Sequence, residues 1–120
     1  MTWAGLDQRV FPRFSTRCDI TISDRVGGTI KTKTQNIGVG GVCVILDKEL
    51  EKLSEAKLRL ILNESSPIEC KARVVWMIRS KEPSSGKMSY DTGFEFMDLD
   101  PKDKQRIQFF IDQLHKSSHG

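Results

Sequence analysis

Long apolar runs are missing from the 120 residues, and the opening MTWAGLDQRV has no apolar core of the kind a secretory signal needs. The expectation is a cytoplasmic protein without membrane insertion. Cysteine is scarce: Cys18, Cys43 and Cys70 are odd in number, widely spaced and each inside an alternating segment. Disulfide frameworks use even counts, and metal ligands usually stand about two to four residues apart, so buried reduced thiols and no metal site are expected. The two histidines, His115 and His119, both lie in the tail, and no carboxylate pair stands out in an apolar setting. With no Ser/His/Asp set in view, an enzyme is the function class with the least support. Strong charge is lacking too. A net charge of +3 tolerates an anionic ligand but does not describe a protein that coats nucleic acid by bulk electrostatics.

What the chain does have is alternation. In FSTRCDITI, Phe14, Thr16, Cys18, Ile20 and Ile22 fall on one side, the mark of a half-buried strand. DRVGG supplies a turn, and TIKTKTQNI reads as a second, more polar strand closing a hairpin. VCVIL is a short buried strand. DKELEKLSE, with Leu50 and Leu53 at helical spacing, is a loop or one helical turn. AKLRLILN alternates with Leu58, Leu60 and Leu62 inward, and IECKARVVWMIRS places Ile68, Cys70, Ala72, Val74, Trp76 and Ile78 on one face. After the polar loop KEPSSGK, MSYDTGFEFM returns with Tyr90, Thr92, Phe94 and Phe96 together. Asp100 can cap a helix that starts at Pro101, and Ile107, Phe110, Ile111 and Leu114 form its apolar stripe. There is no internal repeat and no linker. The expected fold is all-β with a C-terminal helix: a six-stranded antiparallel β-barrel over residues 14–97 and a helix over 100–116, in a single domain of residues 1–120.

Two short motifs carry the chemistry. In DQRVFPRF, Pro12 lacks an amide hydrogen and turns Phe11 away from helical geometry, so Arg9 and Arg13 are expected on a loop, each guanidinium aimed separately. A rigid, permanently charged fork of donors suits phosphate oxygens or a guanine edge. In QNIGVGGV, Gly38, Gly40 and Gly41 permit positive φ and close backbone approach, so successive amides can converge on one anion. Asn36 adds a side-chain amide with donors and an acceptor. Each motif alone also describes an ordinary loop or turn.

Together, RVFPR and the later NIGVGG resemble the paired signature of PilZ domains: Arg, three residues, Arg, then Asp or Asn, any residue, Ser, two residues, Gly. ARVVW and DTGFEFMDLDPKDKQRIQFFI are similar to that family's fifth strand, sixth strand and closing helix, so the resemblance runs along almost the whole chain. It implies a PilZ-like barrel that binds the bacterial second messenger cyclic di-GMP without catalysis, residues 1–13 acting as an N-terminal ligand loop. Matched position by position, Arg9 and Arg13 correspond to the arginine pair, Asn36 to the Asp or Asn and Gly41 to the closing glycine, and the amides of the turn at Gly38, Gly40 and Gly41 are expected to receive polar ligand atoms. The resemblance further implies that Trp76, whose parity also fits the core, stacks on a guanine. Gly38 stands where the family prefers serine; a missing hydrogen bond of that kind weakens binding by about 0.5–1.5 kcal/mol. Gln8 replaces a frequent third basic residue, which bears on whether one or two ligand molecules bind. The implied protein is a monomer or weak dimer, with no fused output domain, signalling through an unidentified effector protein to motility, pili or exopolysaccharide. Other readings are a degenerate PilZ adaptor that binds no nucleotide, and a small barrel for RNA or DNA, which would need a continuous basic and aromatic face.

Overall fold

A computed structural model describes residues 14–15, 18–24, 27–62 and 66–119. The chain forms β1 (Phe14–Ser15), β2 (Asp19–Asp24), β3 (Thr29–Ile37), β4 (Gly41–Leu46), β5 (Glu55–Ile61), β6 (Ile68–Lys81), β7 (Met88–Phe96) and α1 (Pro101–His119). All pairings are antiparallel, in the order β1-β3-β2-β5-β6-β7-β4, and a β3–β4 pairing closes the ring. β1 and β2 both lie along the edge of β3 that faces away from β4, so they form one interrupted stave of a six-stranded barrel. Beside the interruption, the buried hydroxyl of Thr34 accepts a hydrogen bond from the Cys18 amide at 3.0 Å, which satisfies a polar side chain that would otherwise be costly inside.

The alternation does what a pleated strand requires. Ile20 and Ile22, Leu58 and Leu60, and Ile68, Ala72 and Val74 all point inward and are buried with Val42, Val44 and Phe94. Ile107, Phe110 and Ile111 of α1 join the same cluster, with Leu114 packed against it. Asp100 caps the helix through its carboxylate, which accepts from the Lys102 amide at 2.8 Å. Asp100→Ala is expected to cost about 1 kcal/mol in urea unfolding, the usual worth of an N-cap; an unchanged midpoint would contradict that role. α1 runs on to His119, beyond the Lys116 boundary expected from the sequence, because neither glycine nor proline interrupts it before Gly120. Residues 47–54 are loop and turn rather than helix: Leu50 is buried, but Leu53 takes φ 70°, a left-handed value unusual for so bulky a residue, and is exposed.

The three cysteines are buried and free. Burial, reinforced by the charges of Asp98 and Asp103, pushes the Cys70 thiol from 9.0 up to about 12. The folded chain therefore keeps a proton that the unfolded chain releases near 9.0, and the stabilisation present below that pH is lost as pH rises toward about 12. Cys70 is expected to resist iodoacetamide at pH 8 while the protein is folded and to react after denaturation. Rapid labelling of its peptide in the folded state would contradict this.

Candidate functional site

Two β-bulges create the site. In β3 the register against β4 shifts between Thr34 and Asn36, and in β6 the register against β7 shifts between Val74 and Trp76. An extra residue in one strand reverses the facing of all that follows. Thr34 and Val74 therefore point into the barrel, whereas Asn36 and Trp76 point out. The parity expected for IECKARVVWMIRS is corrected here: Trp76 and Ile78 leave the face of Val74, Trp76 becoming half-buried and Ile78 49% exposed. Backbone bonds hold the second bulge from the side of β5. Val74 donates to the Ser54 carbonyl at 2.9 Å and accepts from the Leu53 amide at 2.7 Å.

Both turned residues enter one transverse row. Ser15 opposes Asn36, Asn36 opposes Cys43, Cys43 opposes Gly93, and Gly93 opposes Trp76. Directly opposed residues share a face of a sheet. Ile37, Val42 and Phe94, next in sequence to members of the row, are fully buried inside, so the row runs across the outer wall. Three strand spacings separate Asn36 from Trp76, about 14 Å at roughly 4.8 Å each. The five-membered ring of the Trp76 indole lies over Gly93, where an added Cβ would stand 2.2 Å from Nε1 and 2.3 Å from Cε2. At the other end, the Asn36 Oδ1 atom is buried and has no hydrogen-bond partner among the described residues. A buried acceptor left in that state costs about 1–3 kcal/mol, which marks a group suited to an incoming donor.

The glycine turn differs from the expected nest of amides. Gly38 donates to the Gly41 carbonyl at 2.9 Å, and the Gly40 carbonyl accepts from the Phe96 amide at 3.0 Å. Among the described residues, positive φ belongs to Gly27, Gly86 and Leu53, not to Gly38, Gly40 or Gly41. The turn is a tight connection, and Gly41 is required by packing: an added Cβ would lie 2.1 Å from the Phe94 carbonyl oxygen. Arg9 and Arg13 lie outside the described residues. β1, which starts at Phe14, pairs Ser15 with Asn36 and so brings the chain to this end of the row.

Charge around the row is mixed. Arg73 stands in register between Glu55 and Glu95, Arg59 opposes Glu69, and Lys33 pairs with Asp19 at 2.9 Å. Sequence reading missed Cys43 and Gly93. A glycine inside the alternating DTGFEF, where it weakens a strand, was the signal for a close approach at Gly93. Among the described residues no helix is long and apolar enough to cross a membrane, and no cluster of side chains could hold a metal ion.

The family profile of the PilZ domain matches residues 7–113. The chain belongs to the PilZ domain family. Its PilZ barrel superposes on solved structures of the same fold. These include the PilZ domain of YcgR from Escherichia coli with c-di-GMP (TM-score 0.74, 14% identity, 92% of this chain and 94% of that one). The K. pneumonia MrkH–c-di-GMP complex aligns with TM-score 0.77 and 20% identity over 92% of this chain and 53% of MrkH. The Bacillus subtilis inhibitor of motility, MotI, aligns with TM-score 0.72 and 24% identity over 90% of this chain and 52% of its own. This PilZ chain thus spans about half the length of MotI and MrkH. None of the curated proteins compared with it matches.

Proposed function

We propose that this PilZ domain is a cyclic di-GMP receptor of bacterial signalling, without catalysis, that passes the signal to an effector protein. The observation that carries the proposal is the outward row, in which a tryptophan ring shares one wall with an amide whose buried oxygen has no hydrogen-bond partner among the described residues. PilZ neighbours solved with c-di-GMP support the choice of ligand. The Asn36 carbonyl accepts from the donor edge of a guanine, and Trp76 offers its ring to a base. Arg9 and Arg13 supply forks for phosphate or for the guanine O6 and N7 acceptors. Gly38 and Gly40 let the ligand approach the turn beside Asn36 closely. The setting is a cytoplasmic monomer or weak dimer, and the output is motility, pili or exopolysaccharide.

The mixed charge of the outer wall speaks against a nucleic-acid polymer, which needs a continuous basic groove. The adaptor reading draws on Gly38, which brings no hydroxyl to the turn. Calorimetric titration with cyclic di-GMP, beside a single-stranded oligonucleotide, tests all three: saturable heat with the dinucleotide alone is expected, and heat with the oligonucleotide alone, or with neither, would overturn the proposal.

Gly38→Ser is expected to tighten cyclic di-GMP binding by up to about tenfold, the worth of one hydrogen bond of ~1.5 kcal/mol. Residue 38 does not use a left-handed φ, so a serine there meets no left-handed backbone strain. Unchanged or weaker affinity in a well-folded variant would show that the hydroxyl has no partner in this turn.

A further inference from the structure

We propose that Gly93 is a positioning residue: it keeps the outer wall of β7 bare so that the Trp76 ring lies down on it as the stacking surface, an inference that rests on the receptor function above. Gly93 and Gly41 differ in what they make room for. The atoms closest to a Cβ at Gly41 belong to the backbone of Phe94 and Glu95, so that glycine serves strand packing. Those closest to a Cβ at Gly93 are Nε1, Cε2 and Cδ1 of Trp76, the farthest of them at 2.8 Å. Nothing in the backbone of Gly93 requires glycine, because its φ is not left-handed and a strand interior ordinarily prefers a side chain.

Three independent features converge on this one ring. The Val74–Trp76 bulge turns it outward, the Leu53–Ser54 backbone holds the bulge, and Gly93 receives the ring. Any side chain at 93 would occupy the same space and push the indole off the wall. The ring would remain in the protein but at the wrong height for a base placed between it and Asn36. Gly93 acts through Trp76 and need not touch the ligand itself.

The test uses Gly93→Ala, Trp76→Ala and their combination, in a Trp3→Phe background so that emission reports Trp76 alone. In ligand-free Gly93→Ala, Trp76 emission is expected to move to longer wavelength as the ring is displaced. Cyclic di-GMP affinity, by calorimetry, is expected to fall ~10-fold in Gly93→Ala and by a similar factor in Trp76→Ala, in the range for loss of one base–aromatic stack. The combined variant should lose no more than either alone. Unchanged emission, parent-like affinity in Gly93→Ala, or losses that multiply in the combined variant would each overturn the proposal. Should Gly93→Ala unfold, the combined variant, which lacks the clash, is expected to fold; if it also unfolds, Gly93 serves the sheet alone and the inference is overturned. A parent that binds no cyclic di-GMP refutes the receptor function instead, and the ligand-free emission still decides whether Gly93 positions the ring.

Discussion

Replacing Arg9 or Arg13 with alanine is expected to abolish measurable cyclic di-GMP binding while the barrel stays folded. A guanidinium contact to phosphate is a charge-assisted hydrogen bond, and its loss typically costs about 1.5–3 kcal/mol, or roughly 10- to 150-fold in affinity. The ligand carries two negative phosphates, whereas Arg73 lies between two glutamates and Lys33 is paired with Asp19, and the opposed Lys57 and Lys71 stand on β5 and β6 away from the row. The two motif arginines therefore carry much of the charge recognition. The described core is assembled from Cys18 onward, so stability should change by no more than ~0.5 kcal/mol. Calorimetry and a thermal melt on each variant check both halves. Parent-like binding would show that the arginine pair is not the phosphate contact.

Gly41→Ala is expected to damage both stability and binding. The added methyl meets the Phe94 carbonyl oxygen at 2.1 Å and its carbon at 3.2 Å, and these are backbone atoms that cannot rotate aside. β4 and β7 must separate where Val42 and Phe94, both fully buried, face each other. Overpacking of this kind costs about 1–3 kcal/mol. The damage also spreads outward, because Cys43 and Gly93 pair across the same two strands one step from Val42 and Phe94, and Asn36 of β3 opposes Cys43. Urea unfolding should show the loss, and cyclic di-GMP affinity should fall with it. A variant as stable as the parent would mean that the strands can part cheaply at this level.

The barrel was readable because each stave shows its apolar face in the sequence. Leu58, Leu60 and Leu62, and Ile68, Cys70, Ala72 and Val74, alternate without a break, and the Asp100–Pro101 pair announces the helix. The site was less readable because it depends on two breaks in that alternation. Nothing in KARVVWMI marks the break in alternation after Val74; the bulge is set by backbone hydrogen bonds with Leu53 and Ser54 and by the register with Phe94, all distant in the chain. Period-two reading carried straight through the bulge and put Trp76 inside. The motif singled out Asn36, which β3 presents on the outer wall, but it did not reveal that Gly38 spends its amide on Gly41 or that Gly41 is demanded by Phe94. Cys43 and Gly93 belong to no motif and enter only through strand register.

The most direct test is an amide and indole NMR titration of the labelled protein with cyclic di-GMP. The outward row predicts a saturable shift of the Asn36, Cys43 and Gly93 amides, the Asn36 side-chain amide and the Trp76 indole. Residues on the β2–β5 wall, such as Thr21 and Lys57, should stay in place. A spectrum that does not move, or one in which the β2–β5 wall shifts and the row does not, would contradict the account.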